Sequence, residues 1–108
     1  MAWKVCVPGL RNAENIFPTQ QRDVLKIVTV AMSDKNIERV TIFGSSVTPA
    51  CNPWSDIDAY FDILEDKPLP FFGLENSLDA WTNFSVDKDL KAEIIKTWVV
   101  VYERDATR

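Results

Sequence analysis

The chain has 108 residues, of which 46% are apolar and 26% charged, with a net charge of −4. This length and composition predict one globular domain and exclude collagen-like, low-complexity and largely disordered chains. An acidic balance argues against a protein that binds nucleic acid through a basic surface, and no apolar run approaches the ~20 residues of a membrane span. The chain has no histidine, which excludes histidine-based triads and histidine-ligated zinc. Chemistry must therefore use carboxylates, hydroxyls and bound metal.

The two cysteines, Cys6 and Cys51, lie far apart in the sequence. The first residues lack the charged start, long apolar segment and small-residue cleavage site of a secretion signal. Reduced thiols in the cytoplasm are therefore the expectation.

The first part of the chain predicts an irregular arm followed by a helix. Residues 1–18 contain two prolines and no clear periodicity. The segment from Thr19 to Met32 is predicted to be a helix capped by Thr19. Apolar residues recur on one face of it at helical spacing; they are Val24, Ile27, Val28 and Ala31.

The rest of the chain predicts three strands, a second helix and a closing strand. The strands are expected at 38–43, 56–64, 77–82 and 98–102, and the helix at 86–97 after a Ser85 cap. The fold class is therefore α+β, a small mixed β-sheet backed by helices on one side. We assign the domain to residues 19–105 and a C-terminal tail to 106–108.

One segment combines residues that carry chemistry. Gly44-Ser45 ends the first strand, and Asp56-Ile57-Asp58 follows after ten residues. Two aspartates two positions apart on a strand share one face, where they repel each other unless a cation lies between them. Oxygen ligands favour Mg²⁺, which completes its coordination with substrate phosphates. Gly-Ser at a strand end offers backbone N–H groups and a hydroxyl to a phosphate. The pattern predicts a triphosphate held between the turn and a metal.

The segment FGSSVTPACNPWSDIDAYFD resembles the signature of the minimal nucleotidyltransferases, within the DNA polymerase β-like nucleotidyltransferase superfamily. SLDAWT at 77–82 is similar to the later strand that carries the family's third aspartate. LKAEIIKTWVVVYE at 90–103 is similar to the closing helix and strand. The resemblance spans about residues 19–103 and implies the polymerase β-like fold.

The resemblance also implies roles at the Gly-Ser turn. Gly44, Ser45 and Ser46 would bind the phosphates of a nucleoside triphosphate, with ATP expected from the family. Family members commonly carry an arginine and a glycine just after Gly-Ser, whereas this chain has Ser-Val-Thr-Pro at 46–49. A cation from elsewhere in the chain, or from a partner, would have to take the place of that arginine.

For the carboxylates, the resemblance implies metal binding and catalysis. Asp56, Asp58 and Asp79 would bind two Mg²⁺ ions, and Asp79 would also help to deprotonate the acceptor hydroxyl. The reaction would transfer a nucleoside monophosphate, AMP from ATP, and release pyrophosphate. Asp87 and Asp89 compete with Asp79 for the third position, but both lie at a predicted helix N-terminus, where acids are common for structural reasons.

Four other features of the sequence bear on the same site. Asp62 lies further along the strand that carries Asp58 and is interpreted as a solvated residue. Trp54 is a candidate for stacking on a nucleobase, and an exposed Cys51 thiol is a feature to check. Phe71-Phe72-Gly73 would be a buried plug or, if exposed, an interaction surface.

The acceptor follows from the resemblance alone. Relatives of this length often pair with a helical HEPN-type protein and act as antitoxins that adenylylate it, which predicts a protein hydroxyl as acceptor. A small-molecule alcohol is the alternative acceptor. A second alternative is a nucleotide-binding or partner-binding module without turnover, which the missing arginine favours.

Overall fold

A computed structural model describes residues 2–49, 51 and 54–104. Its elements follow the predicted order. They are α1 (Gln21–Ser33), β1 (Ile37–Phe43), β2 (Ile57–Ile63), β3 (Leu78–Thr82), α2 (Lys88–Thr97) and β4 (Val99–Glu103). Short 3₁₀ turns lie at Ala13–Asn15, Pro18–Gln20 and Gly44–Val47. The α+β class is confirmed, and the predicted tail 106–108 lies outside the described residues.

The four strands form one mixed sheet in the order β3-β2-β1-β4. β1 runs antiparallel to both β2 and β4, whereas β2 and β3 run parallel. β3 is therefore an edge strand, and its residues are mostly exposed. The parallel register pairs Asp79 of β3 with Asp58 of β2.

The two helices lie on opposite faces of the sheet, so the expectation that both cover one side is wrong. Alternate β2 residues from Ile57 to Ile63 pack in the larger core with the apolar face of α1. Tyr60 points the other way and packs with Phe43 and Ile94 of α2. Neighbouring strand residues face opposite sides, so Phe61 packs on the side of α1 and Tyr60 on the side of α2.

The residues expected to form an arm pack into the larger core. Leu10, Ala13 and Ile16 are buried there. Two side-chain bonds from buried Gln21 hold the segment, because its Nε2 donates to the carbonyls of Lys4 and Ile16 at 2.8 and 3.0 Å. Residues 10–16 thus complete the cover of one sheet face.

Both predicted helix caps are wrong. α1 begins later than Thr19, after the Pro18–Gln20 turn, and its N-cap residue Gln20 makes no cap hydrogen bond. α2 is capped by Asp87, whose carboxylate accepts from Leu90 N at 2.7 Å. Ser85 instead accepts a hydrogen bond from Thr82 N at 2.8 Å, at the end of the edge strand. Serine and aspartate compete for caps on similar terms, so local sequence alone does not choose between them.

A buried carboxylate holds the connection between β2 and β3. Asp23 of α1 is only 3% exposed. It accepts backbone hydrogen bonds from Glu75 N and Asn76 N, the second at 2.9 Å. Ser77 then accepts a bond from Ile57 N at 2.8 Å and starts the parallel pairing. Asp23 therefore helps to set where β3 begins.

Among the described residues, no helix is both long and apolar enough to cross a lipid bilayer.

Candidate functional site

The structure brings three predicted aspartates together at one end of the sheet. Asp58 on β2 is directly opposite Asp79 on β3 in the parallel register. Asp56 immediately precedes β2, and it lies close enough for its charge to raise the pKa of Asp58. Asp58 is half-buried, whereas Asp56 and Asp79 are exposed. We call these three residues the acidic cluster.

The acidic cluster is electrostatically unfavourable in its ionised form. The pKa of Asp58 is raised to about 6, first by burial, then by the charges of Asp79 and Asp56. A hydrogen bond between the side chains of Asp58 and Asp79 acts in the same direction, because the protonated carboxyl donates to its neighbour. The two opposed carboxylates therefore release their last proton at a higher pH than an isolated aspartate does, and a bound cation would relieve the same repulsion.

Gly44 lies directly against the carboxylate of Asp58. Phe43 at the end of β1 is paired with Asp58, and Gly44 follows with a positive φ of 71°. A Cβ added at this glycine would collide with Asp58 Oδ2 and lie 3.2 Å from Asp58 Cγ. Only glycine fits both the left-handed conformation and the close approach. The Gly44–Val47 turn and the acidic cluster therefore form one continuous surface.

The three residues predicted to bind nucleotide differ in what they expose. Gly44 and Ser45 are partly exposed beside Asp58. Ser46 is fully buried, and its hydroxyl donates to Oε1 of Gln20. The Ser46 hydroxyl thus faces the interior, while its backbone carbonyl accepts from Phe17 N at 2.8 Å. Ser46 anchors the turn that Gly44 and Ser45 present.

Sequence reasoning missed two polar residues that support this surface, Gln20 and Asp23. Both are buried. They extend the helical spacing of the apolar α1 face toward the N-terminus. Gln20 lies four residues before Val24, and Asp23 lies one residue before it. Polar side chains on a buried stripe must find partners, so this spacing was the available signal.

The competing carboxylates lie elsewhere. Asp62 forms an ion pair with Arg39 across β1 and β2, with Nε to Oδ2 at 2.8 Å. This hydrogen bond is the main reason that the pKa of Arg39 is raised. Asp62 is therefore ion-paired on its strand face. Asp87 is the α2 cap, and Asp89 is exposed in the first turn of that helix, which agrees with the structural interpretation of both.

We expect Asp87→Asn to leave stability, and any nucleotide binding of the kind that the resemblance implies, close to those of the wild type. Asparagine caps helices as well as aspartate does, whereas Asp87→Ala is expected to lose about 1 kcal/mol of unfolding free energy. Urea denaturation and calorimetric titration of Mg·ATP measure the two properties. Loss of Mg·ATP binding in Asp87→Asn would assign the third carboxylate to α2 instead of β3.

The remaining candidate residues differ in how exposed they are. Trp54 is 88% exposed, two residues before Asp56. Cys51 is buried and Cys6 exposed. Phe71 is 90% exposed, while Phe72 stacks on Phe61 with ring centroids 5.5 Å apart. Phe72 therefore packs against the core, whereas Phe71 is exposed to solvent.

The acidic cluster suits Mg²⁺ in its chemistry. Among the described residues, no group of three His, Cys, Asp or Glu side chains is already arranged as a metal site. The Asp58–Asp79 pair nevertheless supplies close oxygen donors, and its raised pKa reflects negative charge that a divalent cation would offset. The carboxylate oxygens of Asp58 and Asp79 are thus of the kind that a magnesium ion takes as ligands.

Comparison of the sequence with protein-family models and with curated proteins finds no match. The case for a function therefore comes from the geometry of the acidic cluster and the Gly44–Val47 turn.

Proposed function

We propose that this protein is a Mg²⁺-dependent nucleotidyltransferase that transfers AMP from ATP to an acceptor hydroxyl. The observation that carries the proposal is the opposition of Asp58 and Asp79, with Gly44 packed against the Asp58 carboxylate. Two opposed carboxylates on a parallel strand pair do not stabilise the fold. Their repulsion disfavours the ionised form of Asp58, as its raised pKa indicates. Cation binding gives that arrangement a use.

Each residue of the proposed site has a distinct role. Asp58 and Asp79 would hold Mg²⁺, with Asp56 as a further ligand, and two ions fit the reaction class. When bound, the metal would offset the charge of the phosphates and polarise the α-phosphate. Gly44 leaves the turn open, so that the triphosphate can lie against the backbone beside Ser45.

The proposed reaction balances without a further reactant. The acceptor oxygen attacks the α-phosphorus of ATP, a new P–O bond forms, and the bond to the β-phosphate oxygen breaks. The hydroxyl proton passes to the carboxylate of Asp79, which is the exposed member of the opposed pair. Pyrophosphate leaves. The protein contributes mainly by holding the two reactants in line.

The acceptor belongs to the same proposal. A protein hydroxyl, such as a tyrosine on a HEPN-type helical partner, is the acceptor that the resemblance favours, with the chain acting as a cytoplasmic antitoxin. The net charge of −4 supports this choice over RNA, because RNA binding relies on positive charge.

A nucleotide-binding module without turnover is the second candidate. Within the part of the chain that the structure describes, no lysine or arginine lowers the pKa of Asp58, and the Ser46 hydroxyl faces the interior. Together with the missing arginine after Gly44-Ser45, both observations leave fewer groups to bind the phosphates, which favours this second candidate.

The test is a calorimetric titration of ATP into the purified chain, first with Mg²⁺ and then with EDTA. We expect binding only with Mg²⁺, and we expect Asp79→Asn to abolish it. Asp66→Asn is the matched control, because Asp66 is an exposed loop residue and the same charge is removed. Binding that survives in EDTA, or in Asp79→Asn, would reject the metal site.

Labelled ATP then separates the two candidates. Incorporation of label from the α-phosphate of ATP, but not from the γ-phosphate, is expected of a nucleotidyltransferase acting on an acceptor protein. Mg²⁺-dependent binding without incorporation, with the helical partner present, would favour the module without turnover.

A further inference from the structure

A single buried amide joins the two segments that form the proposed site. Gln20 is fully buried at the start of α1. Its Oε1 accepts a hydrogen bond from the hydroxyl of Ser46, in the Gly44–Val47 turn. Its Nε2 donates to the carbonyl of Ser55 at 2.8 Å, and Ser55 is the residue immediately before Asp56. The two halves of one side chain therefore hold the turn and the start of the acidic strand.

The surroundings of Gln20 make this link rigid. Its backbone N–H donates to Phe17 O at 2.9 Å, while Phe17 N donates to Ser46 O at 2.8 Å. Ser46 is therefore held through both its side chain and its carbonyl. A buried hydrogen-bonded group is costly to move, because any displacement leaves polar atoms unpaired. The spacing between the turn and the acidic strand is therefore fixed by one buried and one partly buried hydrogen bond.

From this geometry we infer that Gln20 is a positioning residue for nucleotide binding. It sets the separation between the Gly44–Val47 turn and Asp56, and hence between the phosphates and the metal ligands. The effect of Gln20 on nucleotide binding rests on the proposed function. Its role in joining the two segments does not depend on that function. Gln20 touches neither the nucleotide nor the metal and acts only through Ser46 and Ser55.

The neighbouring Gln21 offers a matched control. It is also fully buried, and its side chain also bonds to backbone groups. Those groups belong to Lys4, Cys6 and Ile16 in the first part of the chain, remote from the acidic strand in the sequence. Gln20→Met and Gln21→Met remove the same chemical groups and keep a similar side-chain volume. A general loss of stability should therefore affect both variants alike.

The experiment measures backbone hydrogen exchange and Mg·ATP affinity for the wild type and both variants. We expect Gln20→Met to speed exchange about tenfold at residues 45–48 and 55–58 and to weaken Mg·ATP binding about tenfold. Gln21→Met should leave both properties unchanged and speed exchange near residues 3–7. Equal effects of the two variants on residues 45–48 and 55–58 would overturn the inference, as would faster exchange with unchanged affinity.

Failure of the proposed function is separately visible. If the wild type binds no Mg·ATP, the nucleotidyltransferase proposal fails, and the exchange data alone decide whether Gln20 joins the two segments. If Gln20→Met does not fold, Ser46→Ala replaces it, because this change removes only the hydroxyl that donates to Gln20. Ser46→Ala should then speed exchange at residues 45–48, and wild-type exchange there would overturn the inference.

Discussion

Asp58→Asn is expected to abolish Mg²⁺-dependent nucleotide binding and transfer while making the metal-free protein more stable at neutral pH. Asparagine keeps the shape of the side chain and removes a charge that Asp79 and Asp56 oppose. A residue kept for structure alone would behave in the opposite way, because its replacement would lower stability. The combination of lost binding and gained stability is thus specific to a carboxylate that serves a cation.

The pH dependence of stability follows from the same group. The pKa of Asp58 is raised to about 6 in the folded protein, whereas the unfolded chain releases this proton near its ordinary value. Between these two values the folded state binds more protons, so its stability falls as pH rises through this window. With solvent screening of this half-exposed group, we expect a loss of about 1 kcal/mol.

Urea denaturation in EDTA at pH 4 and at pH 7 measures this contribution. Asp58→Asn should exceed the wild type in stability at pH 7 and match it at pH 4. Asp66→Asn is again the control, since that exposed loop acid should show no such difference. A lower stability of Asp58→Asn at pH 7 would show that the carboxylate is held by structural bonds, and it would contradict the cluster as a cation site.

Gly44→Ala is expected to cause the second large loss, in both stability and nucleotide binding. Alanine in a left-handed conformation costs about 1 kcal/mol, and here its Cβ would also collide with the Asp58 carboxylate. Either the turn or the carboxylate must move. We expect a loss of about 2 kcal/mol or more in unfolding free energy, together with loss of Mg·ATP binding.

Gly9→Ala separates the two causes. Gly9 also has a positive φ, of 88°, but among the described residues no atom beyond its two chain neighbours lies within 4 Å of an added Cβ. This variant should show the backbone cost alone and bind Mg·ATP as the wild type does. Denaturation and calorimetry on both variants provide the comparison. Unchanged Mg·ATP affinity in Gly44→Ala would show that the turn does not contribute to the nucleotide site.

Local patterning predicted most of the secondary structure. β1 begins at Ile37 instead of Glu38, and β2 and β3 are each shorter than predicted by no more than one residue at either end. Strand alternation and helical spacing depend on near neighbours, so the chain reveals them directly. The caps of α1 and α2 were wrong because several adjacent polar residues could serve, and packing chose among them.

The residues of the candidate site were named from the sequence, whereas the buried residues that support it were not. The spacing of Gly44-Ser45 and Asp56-Ile57-Asp58 pointed to the end of β1 where Gly44 lies against Asp58. The structure placed Asp79, and not Asp87, opposite Asp58. It also turned the Ser46 hydroxyl inward to Gln20, a contact between residues 26 positions apart that no local pattern encodes.

The sequence by itself determined the order of the elements, the α+β class and the residues able to carry chemistry, because these depend on composition and short-range periodicity. Only the tertiary structure decided that α2 lies on the opposite face from α1, that Asp58 opposes Asp79 and that Gln20 joins the turn to the acidic strand. Those features depend on strand register and on the pairing of buried polar groups. Both arise from contacts between distant residues, which form only when the chain folds.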